Sequence, residues 1–151
     1  MNVFILDRSM EKSAQMLDDA HLIAQINEAT QILMANYNRK RFPSAKIDHA
    51  NHPVTVYYNT VDAEFELLSY LRRLNKEYEY RFVKRHQSYI FMIGLSEVYY
   101  FNWVSIFQNA KTLVNGSMTD DIEAIRKYIS TKPHVRALKW TNRERPDWWE
   151  V

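Results

Sequence analysis

Between Met10 and Asn38 the chain carries neither glycine nor proline, and its apolar residues recur at helical spacing. No other stretch constrains the fold as much. It reads as one long helix, with Leu17, Leu22, Ile26, Ala29 and Leu33 facing a core. Ser9 suits its N-cap and Glu11 the positive end of its dipole, while Arg39, Lys40 and Arg41 suit the negative end. At about 100° per residue, His21, Gln25 and Glu28 fall in one stripe, with Asp18 at its edge. A histidine, an amide and a carboxylate on so apolar a helix need partners or a task. A solvated face or a satisfied buried network meets the first need, and a working site meets the second.

The 151 residues suffice for one domain, 1–151, with a real core. Only 2 glycines occur, so tight hairpins are expected to be scarce and a helical fold is favoured. With no cysteine there is no disulfide framework, thiolate nucleophile or cysteine metal site. Two glycines cannot build a phosphate-cradling loop, and nothing marks a nucleophilic serine elbow. His49 and His52 are spaced i,i+3 in a loop without nearby carboxylates, which is weak as a metal pair, and no metal is expected. Residues Met1 to Asp7 carry no secretory signal, and the apolar run Phe91 to Phe107 is too short and too polar to span a bilayer. The formal charge of +2 permits nucleic acid without demanding it.

Further along, Phe42 to Pro53 reads as a loop, and Val54 to Tyr58 as either a strand or a helix start. A second helix is predicted from about Asp62 to Arg81. Tyr89 to Phe107 is ambiguous by periodicity; helix is favoured, although Gly94 and Ser96 could mark a turn. Asn115-Gly116-Ser117 reads as a loop, and Thr119 or Asp120 is expected to cap a short helix reaching about Ser130. In the tail, adjacent Trp148 and Trp149 suit a hydrophobic latch, or else stacking on a base. Two basic clusters lie beside aromatics: Arg39, Lys40, Arg41 and Lys46 near Tyr37 and Phe42, and Arg81, Lys84, Arg85 and His86 near Tyr78 and Phe82. Cations of this kind reach phosphates and aromatic faces accept unstacked bases, although helix-end charge beside core tyrosines gives the same pattern.

Three blocks of the chain resemble the pyrimidine-dimer DNA glycosylase family of the phage endonuclease V type. The first is His21-Leu22-Ile23-Ala24 followed by Glu28; the second is His52-Pro53-Val54-Thr55-Val56-Tyr57-Tyr58 leading into Glu64-Phe65-Glu66-Leu67-Leu68. A start like Met1-Asn2-Val3-Phe4-Ile5-Leu6-Asp7 and the later Glu77 to Phe82 with His86 belong to the same branch. The third block is Glu123 to Tyr128 with the closing Arg145-Pro146-Asp147-Trp148-Trp149. Tyr89 to Asn115 matches no part of the family's pattern.

What the resemblance implies is an all-α, endonuclease V-like enzyme acting as a glycosylase and AP lyase on pyrimidine dimers. Its nucleophile is the chain's own α-amine, a group that is partly neutral at physiological pH. The catalytic set is then Met1, Glu28 and His21, with the carboxylate stabilising a sugar cation and the imidazole positioning the sugar-phosphate. The expected DNA contacts are Asn2, Gln25, Asn27, Arg39, Lys40, Arg41, Lys46, Arg81 and His86. Asn27 stands where the family has an arginine, and the initiator Met is expected to remain in front of Asn2. The amine therefore sits one residue further out than in the founding enzyme, a shift of more than about 3 Å along an extended chain. The expected partner is damaged double-stranded DNA, bound by a cytoplasmic monomer in a bacterial or phage-infected cell, with no cofactor and no membrane. A DNA-binding relative without lyase chemistry, or the same scaffold on a small nucleotide-like substrate, are the alternatives.

Overall fold

The computed structural model describes residues 1–99, 103–132 and 138–149. Residues 100–102 of the ambiguous apolar run, His134, and the last two residues of the tail lie outside them. The described chain is helical apart from one small hairpin. Its elements are α1 (Met10–Met16), α2 (Asp19–Arg41), α3 (Pro53–Tyr57), α4 (Val61–Phe82), α5 (Ser88–Tyr99), β1 (Thr112–Val114), β2 (Ser117–Thr119) and α6 (Ile122–Thr131). Among the described residues no helix is long and apolar enough to cross a membrane.

The single long helix predicted from Met10 to Asn38 is two. Asp18 breaks it by taking an extended backbone and capping α2: its Oδ1 accepts the Ala20 and His21 amides at 3.1 and 3.2 Å. A carboxylate that satisfies two first-turn donors holds a new helix start more firmly than a continuous helix, which leaves it no such partners. Ser9 caps α1 as expected. Val54 to Tyr58 resolves as helix, with Pro53 in the first turn where its missing N–H costs nothing. The second long helix appears within one residue of its predicted bounds, and the apolar run is helical as far as Tyr99.

Near the C-terminus one expected loop is the turn of a hairpin, and one expected cap is misplaced. Asn115 and Gly116, at φ 48° and 83°, form the turn of a hairpin pairing Val114 with Ser117. One Asn-Gly pair suffices for such a turn, whatever the total glycine count. Asp121 is the residue that caps α6, its Oδ1 accepting the Ala124 amide, while Thr119 instead accepts the Asp121 amide.

The core lies where α2 and α1 cross α4. Leu22, Ile26, Ile32 and Leu33 of α2 and Leu67, Leu68, Leu71 and Leu74 of α4 are fully buried, each contributing about 1.5–3 kcal/mol. Ile125 and Ile129 of α6 and Trp149 of the tail close the other side. Trp149 stands edge-on to Trp140, whose indole N–H donates to Met16 O at 2.9 Å; the tail is a latch.

Residues 3–6 run extended through this core, all buried. A buried extended segment outside any sheet must find its hydrogen bonds among side chains. The amides of Val3, Phe4, Ile5 and Leu6 donate to Asn2 Oδ1, Gln25 Oε1, Thr112 Oγ1 and Ser13 Oγ at 2.9, 2.8, 3.1 and 2.9 Å. Thr112 returns a bond to Val3 O, Tyr70 donates to Phe4 O, and Arg126 Nε donates to Leu6 O. Four helices and β1 thus fix the path of the N-terminus.

Candidate active site at the N-terminal amine

The fixed path delivers the Met1 nitrogen to α2, 3.6 Å from Glu28 Oε1. Gln25, one turn earlier, is buried and holds the arrangement from below. Its Nε2 donates to Glu28 Oε2 at 2.9 Å and to Asn2 O at 3.1 Å, while its Oε1 takes the Phe4 amide. The Met1 side chain is only 5% exposed, and Thr55 of α3 donates to its sulfur at 3.3 Å. Glu28 remains 28% exposed, so the pair opens to solvent on one side. Exposed Ala24 leaves a low floor between Glu28 and His21 on the same helix face.

His21 is tied through Nδ1 to Asp18 Oδ2, and its ring meets Phe4 edge-on with centroids 5.9 Å apart. Burial raises the Asp18 pKa, but the hydrogen bond from His21, that residue's charge and the amides of His21 and Ala20 together outweigh it. The carboxyl is held below its ordinary 3.8. Asp18 therefore stays ionised and fixes the His21 ring with Nδ1 as donor.

His52, noted in the sequence for its spacing from His49 and as the start of the second block of resemblance but given no role, belongs to this site. It caps α3 by accepting the Val54 amide at Nδ1, 3.2 Å away, which leaves the ring's proton on Nε2. Burial, the positive N-terminus and His49 depress its pKa, with Glu28 opposing, so it is neutral at pH 7.

The other expected contacts divide. Asn27 is exposed on the next face of α2, where with Thr30, Gln31, His86, Gln87, Ser88 and Phe91 it lines a groove of about 370 Å³. Arg41 and Lys46 are exposed; Lys40 is exposed too but pairs with buried Glu64, and Arg39 is half-buried. Asn2 faces inward, exchanging bonds of 2.7 and 2.9 Å with Leu113 of β1. Arg81 is a correction: its side chain is fully buried, with donors spent on Glu77, Asp19 and Gln15 O at 2.8, 3.0 and 3.0 Å. No phosphate can reach it. Gln25 is likewise buried and serves the N-terminus instead of DNA.

Residues 1–90 match the family model of pyrimidine dimer DNA glycosylases, a span holding the amine, His21, Glu28, His52 and every groove residue but Phe91. The chain belongs to the pyrimidine dimer DNA glycosylase family. No curated protein and no solved structure matches it. The family's substrate is DNA, and the match covers the first two blocks of resemblance; the third lies beyond it. The hairpin and tail also lie beyond the matched residues, yet in this glycosylase-family protein Thr112 and Leu113 clamp the segment that carries the amine.

Proposed function

We propose that the protein is a DNA N-glycosylase with AP lyase activity at pyrimidine dimers, using the Met1 α-amine as nucleophile and Glu28 as the catalytic carboxylate. The observation that carries this reading is the 3.6 Å approach of the amine to a half-open carboxylate on a rigid helix. A carboxylate at that distance can take the proton that makes the amine nucleophilic. The nitrogen lone pair then attacks the sugar C1′, and the C1′–N bond breaks with its electrons leaving on the base, which picks up a proton. Loss of one of the nitrogen's two protons, and opening of the sugar ring with a proton taken up by O4′, give the protonated iminium. Glu28 stabilises the positive charge on the sugar and removes the C2′ proton, so that the 3′ C–O bond breaks by β-elimination. Water hydrolyses the imine and frees Met1. His21, oriented by Asp18, holds the sugar-phosphate beside Ala24. Arg41 and Lys46 serve as phosphate contacts, and the Asn27 groove flanks the lesion.

Retention of Met1 is compatible with this chemistry, because the side chain has its own seat against Thr55. The test is borohydride trapping on DNA holding an abasic site. A covalent adduct with the unaltered protein, and its loss in Glu28→Gln, is expected. No adduct, or an equal yield from the variant, would refute the assignment, and DNA binding without an adduct would indicate a non-catalytic relative.

A further inference from the structure

The α4–α5 loop has a feature that stability alone does not explain. Val83 ends α4 in the left-handed conformation, φ 55° and ψ 34°, its amide donating to Glu79 O at 2.9 Å. Glycine or asparagine is the usual occupant of such a cap, and a β-branched residue there is strained. Packing does not compensate, since Val83 is 87% exposed. Exposed Lys84 and Arg85 follow, and neither is ion-paired among the described residues. The Arg85 guanidinium is held over Tyr89 at 4.7 Å. The loop then runs into His86, Gln87 and Ser88, which line the groove with Asn27, the residue before Glu28 on α2. A strained apolar tip, two cations without an ion-pair partner among the described residues and a groove shared with α2 occur in one short segment.

We propose that residues 83–87 form a duplex-opening element, in which Val83 enters the base stack beside the lesion while Lys84 and Arg85 hold flanking phosphates. Apolar side chains wedged between base steps unstack and kink DNA, and an enzyme acting at C1′ needs the stack opened. The strain fits this use, because a rigid cap presents the valine in one direction. The inference rests on the reading of the protein as acting on duplex DNA.

The test uses a duplex with a tetrahydrofuran abasic analogue, which cannot form an imine, beside a 2-aminopurine. Binding by the unaltered protein is expected to raise 2-aminopurine fluorescence. Val83→Asn relieves the backbone strain, so it should melt about 2–4 °C higher while losing the fluorescence rise and binding about tenfold more weakly. Lys84→Ala and Arg85→Ala should each lower the slope of log affinity against log salt by about 0.9. A Val83→Asn protein that is more stable but unstacks the duplex like the original overturns the proposal, as does any absence of unstacking by the original at saturation. Borohydride trapping on a single-stranded abasic site, where nothing need be opened, should be unchanged in Val83→Asn. Its failure in every protein, with unstacking intact, would remove the lyase chemistry and leave the opening element standing.

Discussion

The placement of the amine can be tested by lengthening the chain by one glycine before Met1. Every hydrogen bond of residues 2–6 stays in place, and Met1 keeps its buried seat against Thr55. Only the position of the free amine changes. It stands 3.6 Å from Glu28 Oε1, and one further residue displaces it by about 3.8 Å along the chain. The new amine therefore lies on the order of 5–7 Å from the carboxylate, with its lone pair on the solvent side. Misplacing a reacting group by about 1 Å can cost roughly a hundredfold in rate. The extended protein should accordingly trap abasic DNA at least about 100-fold more slowly, a barrier increase of about 2.7 kcal/mol.

Single-turnover borohydride trapping measures that rate, and peptide mass mapping of the adduct identifies the attacking nitrogen. The melting temperature should not move, which separates a misplaced amine from a damaged fold. Trapping at the original rate through the added glycine would mean that proximity to Glu28 is not what activates the amine. An adduct on a lysine would place the nucleophile elsewhere.

Two further outcomes concern the scaffold. Arg81→Ala removes the buried cation shared by Glu77 and Asp19, which keep Arg143 and Thr141 as partners, so the loss should stay below the cost of a buried charge left alone, about 3–5 kcal/mol; denaturant unfolding should show it, with DNA affinity per folded molecule unchanged. Asp18 has a folded-state pKa below its unfolded value, so its contribution to stability is present above pH 3.8 and is lost as pH falls through the lower folded-state value. Melting temperature followed from pH 5 to about pH 2 should therefore fall less steeply in Asp18→Asn, which can still cap α2 but has no charge to lose.

What was legible in the sequence followed helical periodicity. His21, Gln25 and Glu28 share a stripe because 3.6 residues per turn puts them there, and the two long helices emerge from the same rule. The break at Asp18 has no glycine or proline to announce it; its signal is the acidic pair Asp18-Asp19 ahead of an apolar run, read instead as helix interior. Arg81 looked like a helix-end cation, although Glu77 four residues earlier is the partner that a buried pair would use. Asn115-Gly116 is a hairpin signal in its own right, outweighed by a count of glycines over the whole chain. The clamp on the N-terminus was beyond reach. Ser13, Tyr70, Thr112 and Arg126 act through side-chain bonds to backbone atoms up to 120 positions away, and no local pattern encodes such pairings.

That clamp explains how a chain terminus can serve as a positioned group at all. Termini ordinarily fray because few contacts oppose their entropy. Here the four amides behind the first two residues are each bonded to a different side chain, and Gln25 ties two of the chain's first backbone groups to the carboxylate they must meet. Ordering the amine is thus completed on folding, so substrate binding need not supply it, which is what preorganisation requires. The arrangement also gives the segment beyond the family-matched residues a role in the site. Without Thr112 and Leu113 of β1, Ile5 N–H and Val3 O lose their partners and Asn2 its anchor. The path from the core to Glu28 would then be held by the helices alone, through Gln25, Ser13, Tyr70 and Arg126.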